Sequence, residues 1–248
     1  MTLPYQALFF DLSGVLYDGT QAIPEASKII QQARNSGLIL RFVTNTASKS
    51  QQQVIAQLAE FKIIIEPDEL FSAPQAAKSY ILNHQLRPYC LINDALAIDF
   101  TSIPQADPNC ILIGDSPDKL NFANLNKAFQ LCHQGMPLIT IGKNKYYKSS
   151  HGLCLEAGAF VHGLEWACDQ KAIVMGKPSP QFFQQVINST PFKAEQCLMI
   201  GDDIRGDVIA AMDVGLNACL VKTGKFQPDD IKLLPAKALL INSIADLY

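Results

Sequence analysis

Asp11 closes the run YQALFFD. Thr44 and Asn45 close LILRFVTN, Lys177 lies in MGKPSP, and Asp202, Asp203 and Asp207 lie in GDDIRGD. These residue types in this order can carry phosphoryl transfer. A carboxylate can attack phosphorus and form an acyl phosphate that water then breaks. Such an attack sets an anion against an anion and needs positive charge. An ammonium such as Lys177 supplies some of it, and Mg²⁺ held by carboxylates such as Asp11 and Asp202 supplies more. The Thr44 hydroxyl and Asn45 amide can donate to phosphoryl oxygens. Gly14 lets the backbone come close to them. Taken singly, each feature has a plain explanation. An Asp after an apolar run is often a turn or cap residue, and GKP is a common turn. GDDIRGD lacks the alternating ligands and terminal glutamate of an EF-hand, which argues against a calcium loop. Four features in order, each at the end of an expected strand, point to one site.

The elements that must position these residues alternate along the chain. YQALFFDL reads as a buried strand. IPEASKIIQQARNSG reads as an amphipathic helix stopped by Gly37. LILRFVTN is a second strand, and SKSQQQVIAQLAEF a second helix with Ser48 as its N-cap. The rhythm returns in AIVMG, PSPQFFQQVINS, CLMIGDD, IRGDVIAAMDVG, ACLVKTG and ALLIN. Alternation of this kind predicts βαβ units: an α/β fold with a Rossmann-like, three-layer parallel-sheet core. Ligands of such sheets bind beyond the carboxyl ends of the strands. Residues 73–167 carry further strand and helix patterns, enough for a smaller inserted α/β domain. The core is then expected over 1–72 and 168–248.

The chain has 248 residues, 48% of them hydrophobic and 17% charged, with a net charge of −3. That composition is globular. It lacks the basic footprint of a nucleic-acid binder. No apolar run is long enough to span a bilayer. The first residues show no secretory pattern. The seven cysteines are odd in number, widely spaced and free of CxxC pairs, which argues for reduced core residues in a cytoplasmic protein. The four histidines lack ligand spacing, His151 and His162 being the nearest pair.

The motifs DLSGVLYDG, VTNTASKS, GKPSP and GDDIRGD resemble the four motifs of the haloacid dehalogenase superfamily of aspartate-nucleophile phosphatases. The insert between the second and third motifs resembles the type IIA α/β cap of its nitrophenylphosphatase-like members. The resemblance implies Asp11 as nucleophile, with Asp11, Ser13 and Lys177 as the catalytic positions. It implies Asp11, Leu12, Ser13, Thr44, Asn45 and Lys177 as the substrate-binding set. Mg²⁺ would be held by Asp11, Asp202 and the Ser13 backbone carbonyl. Asp203 and Asp207 would act at one remove. A homodimer and a small phosphate or phosphoamino-acid substrate are also implied.

Ser13 departs from the family pattern, which has a second Asp there as general acid and base. Such help is typically worth about 10²–10⁴ in rate. A serine hydroxyl is too weak an acid to replace it, so leaving groups that do not need a proton are favoured. The resemblance implies substrates with P–N or P–O–P bonds, namely phospholysine, phosphohistidine, pyrophosphate and imidodiphosphate, and Ser13 is consistent with them. Two alternatives stand beside this reading. One is a phosphoryl-binding or interaction protein of the same fold with weakened turnover. The other is a phosphate-accepting receiver domain, disfavoured because its acceptor Asp ends the third strand, not the first.

Overall fold

A computed structural model describes residues 3–149 and 152–248. The chain forms two compact units. One comprises the chain up to Thr44, Gln52–Ser72 and Lys177–Tyr248; the other comprises Asn45–Gln51 and Ala73–Gly176.

In the first unit, β1 (Ala7–Asp11) is buried at every position, as a strand covered on both faces must be. A short antiparallel hairpin follows, β2 (Tyr17–Asp18) against β3 (Gln21–Ala22). The helix α1 (Ala26–Asn35) buries Ala26, Ile29, Ile30 and Ala33, one stripe at helical spacing. Gly37 ends it at φ +78°, the left-handed conformation that glycine adopts without a Cβ clash. β4 (Ile39–Thr44) runs parallel to β1 and sets Asp11 opposite Val43. α2 (Gln51–Glu60) and β5 (Leu70–Ser72) follow. The second helix thus begins at Gln51, directly after the buried Ser50, and Ser48 is not its cap.

The inserted unit runs α3 (Ala73–Asn83), β6 (Pro88–Leu91), α4 (Asp94–Ala97), β7 (Cys110–Ile113), α5 (Phe122–His133), β8 (Leu138–Thr140), β9 (Tyr146–Ser149), β10 (Gly152–Leu155), α6 (Ala157–Cys168) and β11 (Ile173–Val174). Its four-stranded sheet has the order β11-β8-β7-β6, with β9 and β10 as a separate antiparallel pair. Leu91, Ile111, Ile113, Leu138, Val161 and Leu164 form its core. The strand over AIVMG is therefore not a core strand. Ile173 pairs with Ile139 and Val174 with Thr140, so the chain leaves this unit after Gly176 and not after Ala167. A two-residue apolar strand does not say which sheet it joins; the pairing decides that.

The chain returns to the first unit with α7 (Pro180–Asn188), β12 (Cys197–Gly201), a π-helical turn over Ile204–Ile209 that continues into α8 (Ala210–Asp213), β13 (Asn217–Val221) and β14 (Leu239–Ile241). The six parallel strands have the order β14-β13-β12-β1-β4-β5. Connections run outward from β1 in both directions, so the order reverses there. That reversal opens a crevice at the carboxyl ends of β1 and its neighbours, the usual ligand position in open parallel sheets. Leu8, Phe10, Ile30 and Phe42 pack one face of the sheet, and Ile204, Val208, Ala218 and Leu220 form a second cluster. Among the described residues no helix is long and apolar enough to cross a membrane. Cys110, Cys132, Cys197 and Cys219 are buried, and His151 lies outside the described residues.

Candidate active site

Asp11 is the last residue of β1, and Asp202 follows β12, the strand hydrogen-bonded beside it. Asp207 lies in the π-helical turn that follows. An inserted residue of this kind re-aims side chains and often marks a functional position. One carboxylate oxygen from each of Asp11, Asp202 and Asp207 falls within 4.8 Å of the others. Lys177 Nζ lies 2.7 Å from Asp11 Oδ1 and 2.6 Å from Asp207 Oδ1. It also donates to the Val43 carbonyl at 3.4 Å. Four buried charged groups from distant parts of the chain therefore meet at the crevice.

Their charges do not balance. Three buried carboxylates face one buried ammonium, which leaves the charge of a divalent cation uncompensated. Burial raises the Asp202 carboxyl to about 8, with the charges of Asp11 and Asp207 adding to the effect. Burial also raises Asp207, to about 6, with Lys177 opposing and Asp11 adding. For Lys177 burial works against the charge, but Asp11 and Asp207 outweigh it and the ammonium is held. Asp202 Oδ2 accepts from the Lys225 N–H at 2.7 Å. Asp202 Oδ1 is buried and has no hydrogen-bond partner, a costly state for a carboxylate oxygen unless a cation faces it.

A pH dependence follows. Carboxyls raised in the folded state contribute stability that is complete below their unfolded pKa, near 3.8, and is lost as pH rises through about 6 and about 8. Metal-free protein is therefore expected to lose thermal stability between about pH 4 and about pH 8. Mg²⁺ is expected to raise Tm most at the alkaline end. Scanning calorimetry across that range with EDTA or Mg²⁺ checks this; parallel curves would contradict a charge-starved site.

The remaining sequence-predicted residues fall in different places. Thr44 is buried at the end of β4, opposite Ser72. The Leu12 side chain is fully buried in the core, which leaves only its backbone to meet a ligand. Ser13 is exposed and its backbone bridges to Tyr17. Asn45 is grouped with the inserted unit, where its Oδ1 occupies the space a Cβ would need at Gly176. Asp203 and Asp207, treated alike from the sequence, separate here. Asp203 caps the following turn, accepting from Arg205 N–H at 3.0 Å and Gly206 N–H at 2.8 Å. Asp207 joins the acidic cluster. Sequence reasoning missed the Thr223–Gly224–Lys225 turn, which contacts Gly14 and Asp202. The only sequence signal for it was a lone glycine after an apolar strand, which many turns share.

The chain is similar to known proteins over most of its length. A family model described as haloacid dehalogenase-like hydrolase matches residues 8–103. A second, described as HAD-hydrolase-like, matches 174–247. The human haloacid dehalogenase-like hydrolase domain-containing protein 2 is 41% identical over 225 residues, 91% of this chain and 87% of that protein. The human phospholysine phosphohistidine inorganic pyrophosphate phosphatase is 41% identical over 232 residues, 91% of this chain and 86% of that one. The structure of a p-nitrophenyl phosphatase from Archaeoglobus fulgidus superposes with a TM-score of 0.90 at 20% identity, covering 98% of each chain. With relatives this similar over nearly its whole length, the chain belongs to the haloacid dehalogenase-like hydrolases.

Proposed function

We propose that this hydrolase is a Mg²⁺-dependent phosphatase that works through an aspartyl phosphate on Asp11 and cleaves P–N or P–O–P bonds. The observation that carries the reading is the buried Asp11–Lys177 pair beside the unpartnered Asp202 Oδ1. Its substrate class is supported by the name of the human relative that is 41% identical, phospholysine phosphohistidine inorganic pyrophosphate phosphatase.

The residues fit Mg²⁺. The donors are hard oxygens, the charge imbalance is that of a divalent ion, and one buried oxygen lacks a partner. Asp11, Asp202 and the Ser13 carbonyl would hold it. When bound, it would draw charge from the phosphoryl oxygens and offset the repulsion between them and Asp11.

Asp11 attacks phosphorus, and the bond to the leaving group breaks as the Asp11–phosphorus bond forms. Water then attacks the same phosphorus, returning the Asp11 carboxylate and releasing phosphate. Lys177, fixed between Asp11 and Asp207, presents a positive charge that needs no rearrangement during the reaction. Thr44 donates to the phosphoryl oxygens from the end of β4. Ser13 stands where a general acid would be needed for an alkoxide. Phosphate and imidazole leave without one, which favours pyrophosphate and phosphohistidine over alkyl phosphates.

Phosphate release from pyrophosphate, imidodiphosphate, phosphohistidine, phospholysine and a sugar phosphate, with Mg²⁺ or EDTA, tests the reading. The first four are expected to outrun the sugar phosphate, and EDTA to stop all. Ser13→Asp is expected to raise the ratio of kcat/KM for the sugar phosphate to that for pyrophosphate. A flat ratio in a folded variant would move the origin of selectivity away from position 13. Release from none of them would favour the phosphoryl-binding alternative.

A further inference from the structure

Three contacts lead from the turn after β13 to the acidic cluster. The Thr223 hydroxyl donates to the Gly14 carbonyl, across most of the chain's length. The Lys225 N–H donates to Asp202 Oδ2 at 2.7 Å. Gly224, at φ +63°, lies so close that a Cβ there would overlap Asp202 Oδ2. Gly14, at φ +86°, crowds the same oxygen and packs against Gly224. The Asp202 carboxylate thus lies against two glycines that pack on each other. One of its oxygens is occupied by the turn, and the other is left without a partner and buried. Gly14 directly follows Ser13, so the Thr223 bond also fixes the loop that carries the Ser13 carbonyl. Both glycines sit at positive φ with almost no free space, which only glycine tolerates.

We propose that the Thr223–Gly224–Lys225 turn is the positioning element of the metal site, with Thr223 and Gly224 setting Mg²⁺ affinity without touching the ion. The inference rests on the Mg²⁺ reading above and extends it to residues that neither motif nor charge pattern marks. The turn locks the Asp202 rotamer and holds the nucleophile loop against it. Partners of this outer kind typically change metal affinity by about 10–100-fold when removed.

The test measures Mg²⁺ binding directly by isothermal titration calorimetry on the whole chain, alongside the Mg²⁺ dependence of phosphate release. Thr223→Val removes the donor at nearly constant shape, and Thr223→Ser keeps it. Thr223→Val is expected to raise the Mg²⁺ Kd about tenfold, with saturating Mg²⁺ recovering most of the turnover. Thr223→Ser is expected to bind close to wild type. Gly224→Ala is expected to exceed the Thr223→Val effect, because its methyl group must displace the Asp202 carboxylate itself. Equal Kd for wild type and Thr223→Val, with the substrates still hydrolysed, would overturn the inference and leave the phosphatase reading intact. A tenfold Kd difference with none of the substrates hydrolysed would uphold the inference and overturn the substrate reading. A fall in Tm without a change in Kd would show the turn to be structural only.

Discussion

Asp11→Asn is expected to lower phosphate release by at least about 10³-fold, the order lost when one member of a catalytic unit is removed. A neutral amide neither attacks phosphorus nor attracts Mg²⁺ as a carboxylate does. The same substitution is expected to leave the metal-free protein at pH 8 as stable as wild type or more so. Asp11 is one of the charges that raise the Asp202 carboxyl to about 8, so its removal relieves repulsion in the cluster. Lys177 keeps its pairing with Asp207 at 2.6 Å. Phosphate release and Tm in EDTA are the two measurements. Retention of more than a few per cent of the wild-type rate would sink the covalent role. A large fall in Tm would instead make Asp11 a structural residue, and the lost activity a consequence of unfolding.

Lys177→Met is expected to have the second largest effect, by a different route. It leaves Asp11 and Asp207 facing each other without the ammonium that both now pair with. Removing one partner from a buried pair costs about 3–5 kcal/mol, so Tm in EDTA is expected to fall sharply. Loss of one fixed charge aimed at the reacting group typically costs about 10²–10³ in kcat. Added Mg²⁺ is not expected to restore that loss, because the missing charge is not the metal's. Asp202→Ala provides the contrast. Its defect lies in metal affinity, so high Mg²⁺ is expected to recover part of its turnover. Identical Mg²⁺ rescue curves for the two variants would contradict the separate roles.

The residues of the site were legible because each follows an apolar run. Asp11 after ALFFD's apolar residues and Asp202 after CLMIG could be placed at strand ends from periodicity alone, and the structure sets them on neighbouring strands. Lys177 was found for a reason that did not hold. It was expected at the end of a core strand, but Ile173 and Val174 pair within the inserted unit. The ammonium reaches Asp11 from the segment that returns to the core after Gly176. Asp203 and Asp207 could not be told apart from the sequence. The π-helical turn separates them, giving Asp203 the backbone N–H groups and Asp207 the lysine.

What the sequence determined by itself was fold class and a set of candidate residues: the parallel α/β core, and the carboxylates and the ammonium that follow its apolar runs. These follow from residue type and local period, which neighbours along the chain set. Tertiary structure alone decided which sheet a two-residue strand joins, and which acidic residue faces the lysine. It also decided that the Thr223–Gly224–Lys225 turn closes on Gly14 and Asp202. Those contacts join segments far apart in the chain, and no local pattern encodes them. They exist because the strand order reverses at β1 and brings the loops after β1, β12 and β13 to one edge of the sheet.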